Sequence, residues 1–222
     1  MAVLARGARR SRRRFPGALE SCALIRAEVA LGRGELGRLA QAQVVRAFPG
    51  VLADLAKLTI AGAALELVRE AVAVRQPDEH LFETTLELLA LLDSASDASE
   101  GILLSFEARV LALVGLAPQV DACGPCGKEA PADRAALFSP ASGGIICRSC
   151  GGGPIRLSAG ARHRVRESTG PQWAAAGSTW PRGDLAGVRR ALTELVAHHL
   201  ARELAGPKAV SQVDELVRRG GR

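Results

Sequence analysis

Aromatic side chains are scarce in this sequence of 222 residues, which has five phenylalanines, two tryptophans and no tyrosine. Proteins that hold single strands by their bases stack them on aromatic rings, so this scarcity disfavours a base-reading surface. Long hydrophobic runs are also missing, since none approaches the ~18 uncharged apolar residues that a membrane span requires. Apolar residues nevertheless make up 48% of the chain. This share predicts a soluble protein with a sizeable core.

Acidic residues are missing before Glu20, whereas residues 5–15 (ARGARRSRRRF) contain six arginines. Because the net charge is +6, the rest of the chain is neutral. One cationic segment on an otherwise neutral chain indicates a specific electrostatic contact with a polyanion. The alternative is an arginine-rich tail that is simply solvated. Arginine grips phosphate with two donors and stacks on bases, which makes the segment a candidate nucleic-acid-binding site. Its residues are Arg6, Arg9, Arg10, Arg12, Arg13 and Arg14.

Two targeting signals share such an arginine-rich start. A secretory signal requires an apolar stretch after it, and here CALIRAEVAL is interrupted by Arg26 and Glu28, which excludes that signal. A mitochondrial transit peptide is also rich in arginine and poor in acids. The residues that follow predict folded β-structure, which favours a cationic site on a folded, cytoplasmic protein.

Hydrophobic periodicity divides the chain into a strand-rich start and a helical remainder. Residues 2–46 favour strands, including a hairpin that turns at GRG, 32–34. From Phe48 the period is helical, and Ser158 and Asp184 are predicted N-terminal caps. Gly206–Pro207 is predicted to end the helix that Asp184 begins. The predicted helices cover about residues 49–76, 78–93, 102–114, 161–168, 185–204 and 211–219.

Four of the five cysteines form two pairs, CGPC at 123–126 and CRSC at 147–150. This spacing is typical of a four-thiolate zinc site, because each pair forms a tight turn that points two sulfurs at one ion. Four thiolates leave no open position for water, so the predicted zinc is structural. Cys22 is predicted to be a buried apolar residue. The predicted ligands are Cys123, Cys126, Cys147 and Cys150.

Other chemistry fits the sequence less well. Two disulfides would require an oxidising compartment, and a thioredoxin-like pair would require one CxxC at a helix start in a βαβ unit. A zinc deaminase requires an H-x-E motif, which does not occur. The sequence also contains no phosphate-binding GxxxxGK[ST] and no GxSxG, so we expect a protein that is not an enzyme.

The order of these parts resembles the bacterial recombination mediator RecO family over essentially the whole chain. The likeness lies in ARGARRSRRRFPGALES, in the hairpin with GRGEL, in FEARVLALVGLAP before the first CxxC, in FSPASGGIIC before the second, and in GPKAVS near the end. It implies an α+β fold with a partial N-terminal OB-fold β-barrel, residues 1–47. An α-helical domain, 48–222, follows, with a four-cysteine zinc finger inserted at 121–153.

The resemblance also implies a function. A RecO-like protein binds single- and double-stranded DNA, anneals complementary strands, and helps to load recombinase with RecR and single-stranded DNA-binding protein. It is a bacterial, nucleoid-associated protein of DNA repair. The RGARRSRRR run falls in the OB-fold region that supplies basic contacts to DNA, and the paired cysteines match the metal ligands. A zinc-ribbon module that docks protein partners, without a direct role on DNA, is the alternative.

Two features depart from the family. Its members usually carry about thirty residues before the arginine-glycine segment, so roughly two strands of a five-stranded barrel are expected to be missing here. A start assigned too late is the favoured explanation, and completion by a partner is the other. A three-stranded remainder would expose sheet edges and an apolar face. Near the end, Ala209 and Val210 stand where the family tends to have basic residues.

Overall fold

The computed structural model describes residues 3–7, 13–31, 36–72, 77–177, 180–200 and 204–220. Within this range the fold is a mixture of two sheets and a set of packed helices. The strands are β1 (Val3–Leu4), β2 (Ala23–Ala30), β3 (Gly37–Ala47), β4 (Gln119–Cys123), β5 (Ala136–Ser139), β6 (Gly144–Ile145) and β7 (Ile155–Leu157). The helices are α1 (Pro49–Leu52), α2 (Leu55–Ala71), α3 (Glu79–Ser94), α4 (Glu100–Leu113), α5 (Ala159–Thr169), α6 (Trp173–Gly177), α7 (Arg182–His199) and α8 (Gly206–Gly220).

The first sheet has the strand order β1-β3-β2. Strands β2 and β3 form the predicted antiparallel hairpin, with Val29 opposite Leu39, and β1 lies parallel to β3 on the other side. The predicted turn at 32–34 lies outside the described residues. One face of the sheet covers a small cluster of its own, made of Phe15, Ala18, Leu39 and Ala42.

Helix α4 is the centre of the helical part, and it contacts α2, α3, α5, α6 and α7. It is buried over nearly its whole length because its sequence, EGILLSFEARVLAL, is apolar on most sides. A helix that is apolar all round is stable only inside a core. Among the helices that the structure describes, none has the length and apolar character needed to cross a membrane.

The second sheet has the strand order β4-β6-β5-β7 and packs on the helices. Phe138, Ile145 and Leu157 point into the same hydrophobic cluster as the core of α4. The cysteine-rich segment therefore shares its core with the helices, although its sequence suggested a small unit of its own. Its sheet also extends beyond the predicted 121–153, from Gln119 to Leu157.

Several helix limits were predicted correctly. Asp78 caps α3 by accepting a hydrogen bond from the backbone N–H of Leu81 (2.9 Å), and α4 ends just before Gly115, whose φ is +82°. Ser158 caps α5 by accepting from the N–H of Ala161 (2.9 Å). These caps depend on neighbouring residues only, which is why a sequence pattern predicts them.

Other local predictions were wrong. The helix expected over 49–76 is interrupted after α1. The side chain of Asp54 caps a new helix, α2, by accepting hydrogen bonds from the first backbone N–H groups of that helix. Asp184 lies in the first turn of α7 and accepts a hydrogen bond from Ser158 Oγ (2.6 Å), whereas α7 begins at Arg182. Gly206 begins α8 instead of ending the preceding helix, because the Glu66 carboxylate accepts its N–H (2.6 Å).

Two aromatic residues are also placed differently. Trp173, in a segment predicted to be a loop, is 1% exposed on the short helix α6. It packs edge-on against Phe106, with ring centroids 5.6 Å apart, and its indole N–H donates to Glu87 (2.9 Å). Phe82, whose position in the apolar period of the predicted helix 78–93 favours a place in the core, is 55% exposed on α3.

Candidate metal centre and nucleic-acid surface

The first cysteine pair forms a tight turn at the end of β4. The N–H of Gly127 donates to the carbonyl of Cys123 (2.8 Å), and the N–H of Cys123 donates to the carbonyl of Lys128 (2.9 Å). Gly127 has a φ of +70°, a backbone conformation that glycine adopts without a steric cost. The chain thereby reverses within a few residues and carries Cys126 back towards Cys123.

The second pair occupies a 3₁₀ turn, Arg148–Cys150, that follows β6. The N–H groups of Cys150 and Gly152 both donate to the carbonyl of Cys147, each at 3.0 Å. The two turns are neighbours because β4 pairs in parallel with β6, which places Cys123 opposite Ile145. A parallel pairing within the sheet therefore explains why cysteines far apart in sequence meet.

The four paired cysteines bring their sulfurs within 4.8 Å of one another, and Cys126 Sγ lies 3.8 Å from Cys147 Sγ. A tetrahedron with Zn–S bonds of about 2.3 Å has edges of about 3.8 Å, so the cluster is close to the size that zinc requires. In addition, the backbone N–H of Cys147 donates to Cys123 Sγ (3.3 Å), a contact that favours the thiolate. The donor set could hold a metal ion.

The acidity of the thiols fits the same interpretation. Backbone N–H groups of Cys147 and Cys126 lower the pKa of the Cys123 thiol to about 6, whereas the neighbouring thiols, Cys147 foremost, raise the pKa of Cys150 to about 12. The cluster thus releases one proton readily and holds the last one firmly. Only a cation at the centre makes four thiolates compatible at neutral pH, as metal binding generally displaces thiol protons.

Side chains of the helical part hold the cysteine-rich segment in place. Arg162 of α5 is only 5% exposed and donates to the carbonyls of Val120 and of three residues in the connection between the cysteine pairs. His199 of α7 lies with its Nε2 3.2 Å from the carbonyl of Pro140. Sequence reasoning missed Arg162, because its partners are carbonyl groups about thirty to forty residues away, and no local pattern marks such contacts.

The cationic segment is only partly described. Arg6, Arg13 and Arg14 lie in it as exposed residues, whereas Arg9, Arg10 and Arg12 lie outside the described residues. Arg14 anchors the segment to the sheet: its carbonyl accepts the N–H of Ala42 (2.9 Å), and its guanidinium donates to the carbonyl of Arg6 (2.9 Å). The structure therefore brings Arg6 and Arg14 together beside β3.

The same sheet presents further cations that sequence reasoning missed. Arg26, Arg38 and Arg46 are exposed on β2 and β3, and Arg46 lies over the ring of Phe48 at 4.8 Å from its centroid. Their positions in the hairpin were the available signal, because an arginine in a strand that has one buried face must point to solvent. Phe15 is the aromatic residue that adjoins the arginine segment and was therefore the candidate stacking platform for bases. It is only 5% exposed beneath the sheet, so it offers no such platform.

The likeness to known proteins extends over nearly the whole sequence. A family model described as Recombination protein O C terminal matches residues 52–207. DNA repair protein RecO of Anaeromyxobacter sp. (strain K) is 38% identical over an alignment of 224 residues, which covers 98% of this chain and 87% of that protein.

The chain belongs to the RecO family. DNA repair protein RecO of Myxococcus xanthus is 34% identical over 220 aligned residues, covering 96% of this chain and 86% of that protein. DNA repair protein RecO of Symbiobacterium thermophilum is 34% identical over 168 residues, covering 74% of this chain and 66% of that protein. The resemblance seen in the sequence is confirmed, and DNA repair is the role that the RecO relatives' names give.

Proposed function

We propose that this RecO-family chain is a mediator of DNA repair and recombination, not an enzyme, that binds single- and double-stranded DNA and anneals complementary strands. The observation that carries the proposal is the likeness to DNA repair proteins over nearly the whole chain. We further propose that it helps to load recombinase together with RecR and single-stranded DNA-binding protein, in the bacterial cytoplasm at the nucleoid.

The cations of the first sheet support direct DNA binding. Six arginines of the N-terminal segment and the exposed Arg26, Arg38 and Arg46 belong to one part of the chain. Exposed arginines bind phosphate regardless of sequence, and a buried Phe15 offers no ring for base stacking. The proposed contact is therefore electrostatic and sequence-tolerant, as annealing of any complementary pair requires.

We assign residues 1–47 to an OB-fold-type domain, residues 48–222 to a helical domain and residues 121–153 to a zinc finger inserted in it. Zn²⁺ bound by Cys123, Cys126, Cys147 and Cys150 would link the two turns and stabilise the finger without reacting. The size of the sulfur cluster and the N–H that points at Cys123 support zinc at this place.

The DNA proposal is tested by replacing Arg9, Arg10, Arg12 and Arg13 with glutamine. The matched control replaces Arg69, Arg164, Arg166 and Arg190, four helix arginines that are each paired with an acid, so both variants lose the same charge. In filter-binding titrations at several salt concentrations, the first variant should lose affinity about equally for unrelated sequences, and its log–log salt slope should flatten by about 0.7–0.9 per lost contact.

The control variant should bind DNA nearly as the wild type does. Equal losses in both variants would mean that net charge alone, not the N-terminal segment, sets the affinity. Unchanged affinity in the first variant, with its fold intact by circular dichroism, would favour the alternative, a zinc-ribbon module that docks protein partners. The neutral composition of the remaining chain is the feature that supports that alternative.

A further inference from the structure

Arg162 is an unusual buried cation. It is 5% exposed, and it forms no ion pair with a carboxylate in the part of the chain that the structure describes. Its Nε donates to the carbonyl of Val120 (2.9 Å), and its Nη1 donates to those of Pro131 and Arg134 (both 2.8 Å). Its Nη2 donates to the carbonyl of Ala130 (3.0 Å). Four backbone dipoles thus surround one guanidinium.

The four carbonyls belong to the two arms of the first cysteine turn. Val120 precedes Cys123 on β4, and Ala130 opens the connection that leads from the turn to β5. The arms are also joined to each other, since the N–H of Ala130 donates to the carbonyl of Asp121 (2.8 Å). Arg162 therefore fixes both arms of the turn and ties them to helix α5.

Only arginine suits this position. Its planar guanidinium carries five donors in a rigid fork, so one side chain can reach carbonyls on two arms at once. Lysine keeps the charge, but its single ammonium lacks the fork. A buried carbonyl that loses its donor is costly, so the arms would rearrange or take up water if the fork were missing.

We propose that Arg162 is a positioning residue of the metal centre: it holds the first cysteine turn in the geometry that the ion requires, and it couples metal binding to α5. This inference rests on the zinc site proposed above. Ligands that are already held in the binding geometry lose less conformational entropy when the ion binds, so the ion binds more tightly. By the reciprocity of linked equilibria, the ion in turn stabilises the contacts of Arg162.

The test compares Arg162→Lys with a matched control, Arg164→Lys, on the same helix. Arg164 is paired with Glu167 (2.9 Å) and makes no contact with the described residues 119–157 among its hydrogen bonds and ion pairs. Zinc affinity is measured on the full chain, under reducing conditions, by competition with a chelating dye. Groups that hydrogen-bond a metal ligand typically contribute tenfold to a hundredfold to metal affinity. Arg162 acts one step further out, on the arms of the turn, so Arg162→Lys should bind zinc up to about tenfold more weakly and release it faster.

The outcomes separate the two proposals. A wild-type protein that binds no zinc overturns the zinc site itself. A wild type that binds zinc, with the same affinity in Arg162→Lys, overturns the role of Arg162 alone. The control variant should match the wild type in affinity and release rate.

A second measurement uses the wild-type protein alone, so it is informative even if Arg162→Lys does not fold. Hydrogen exchange of the wild type is followed with zinc and after its removal. If Arg162 couples the ion to the helices, amides of residues 130–134 and of α5 near Arg162 lose protection when zinc leaves. Loss of protection confined to the two cysteine turns would overturn the coupling.

Discussion

The N-terminal sheet and the helical part of this protein are built in different ways. The sheet and the segment beside it bury only a small hydrophobic cluster, which includes Phe15 and Leu39. Some apolar side chains of the sheet stay in contact with solvent, and Val45, for example, is 55% exposed. The helical part buries a large continuous core that includes the sheet of the cysteine-rich segment. The exposed cations that we propose to contact DNA lie on the sparsely packed sheet, whereas the proposed metal centre is fastened to the densely packed core. The proposed DNA-binding surface and the well-packed core that carries the proposed metal centre thus lie in different parts of the chain.

Removal of the proposed metal should produce the largest effect, and it should be felt in the helical part. Chelation of zinc, or Cys126→Ser, frees two turns whose sheet contributes Phe138 and Leu157 to the common core. Structural zinc supplies about 10–16 kcal/mol in isolated finger peptides, so we expect a loss of more than about 5 kcal/mol. Metal analysis and thermal unfolding, followed by tryptophan fluorescence, measure the loss.

The control for that experiment is Cys22→Ala, since Cys22 is a buried cysteine outside the cluster. It should leave the zinc content at one ion per chain. The prediction is contradicted if the wild type unfolds at the same temperature with and without chelator.

A pair of core substitutions asks whether the two regions unfold separately. Leu67 of α2 is fully buried in the large core, and Leu67→Ala should cost about 2–5 kcal/mol. Leu39 of β3 belongs to the small cluster, so Leu39→Ala should open the hairpin locally. Both tryptophans, Trp173 and Trp180, pack with the helical core, so fluorescence reports that core alone.

Leu67→Ala should therefore shift the fluorescence transition in urea, whereas Leu39→Ala should leave it in place and speed hydrogen exchange in β2 and β3. Equal shifts of the fluorescence transition in both variants would show that the sheet and the helices unfold as one cooperative unit.

Sequence patterns predicted the parts of this molecule that depend on nearby residues. The hairpin follows from alternation, the start of α3 near Asp78 and the Ser158 cap follow from residues close in sequence, and the close approach of the cysteines follows from their spacing. The parts that were missed depend on residues far apart in sequence. Gly206 begins a helix because Glu66 caps it across 140 positions, and Trp173 is buried against Phe106, where Glu87 accepts its N–H.

The candidate site divides in the same way. The ligand set was predicted from four residues, but Arg162, which holds the arms of the first turn, was found only in the structure. A cation in ARHRVRES has the same local pattern whether it faces water or the interior. Burial and partners are set by the packing of α5 on β4, and neither leaves a signal in the sequence of α5 itself.

A buried acid gives the helical part a dependence on pH. Glu107 of α4 is 4% exposed, and burial, together with the nearby Glu100, raises its pKa to about 8 from an ordinary value of 4.5. The folded state thus holds the proton more tightly than the unfolded state. Its contribution to stability is complete below the unfolded pKa and is lost as the pH rises towards about 8.

Wild-type stability should accordingly fall by about 1–3 kcal/mol between pH 5.5 and pH 8 from this group, and Glu107→Gln should flatten that part of the profile. Urea unfolding at several pH values measures both. Glu83→Gln, which changes an exposed acid on α3, is the control and should keep the wild-type slope. A slope in Glu107→Gln as steep as that of the wild type would assign the pH dependence to other groups.

The smallest expected effect concerns the joint between the cysteine-rich segment and the helices. Ser158 follows β7, caps α5 through the N–H of Ala161 and donates to Asp184 of α7. Ser158→Ala removes both contacts and should lower the free energy of unfolding in urea by about 1–2 kcal/mol.

The control is Ser94→Ala. It removes a hydroxyl that bonds back to carbonyls of its own helix, so it should change the free energy of unfolding by less than about 0.5 kcal/mol. Because Ser158 lies outside the cysteine turns, zinc content should be unchanged. Loss of zinc in Ser158→Ala would mean that the joint, and not Arg162 alone, keeps the cysteine turns in place.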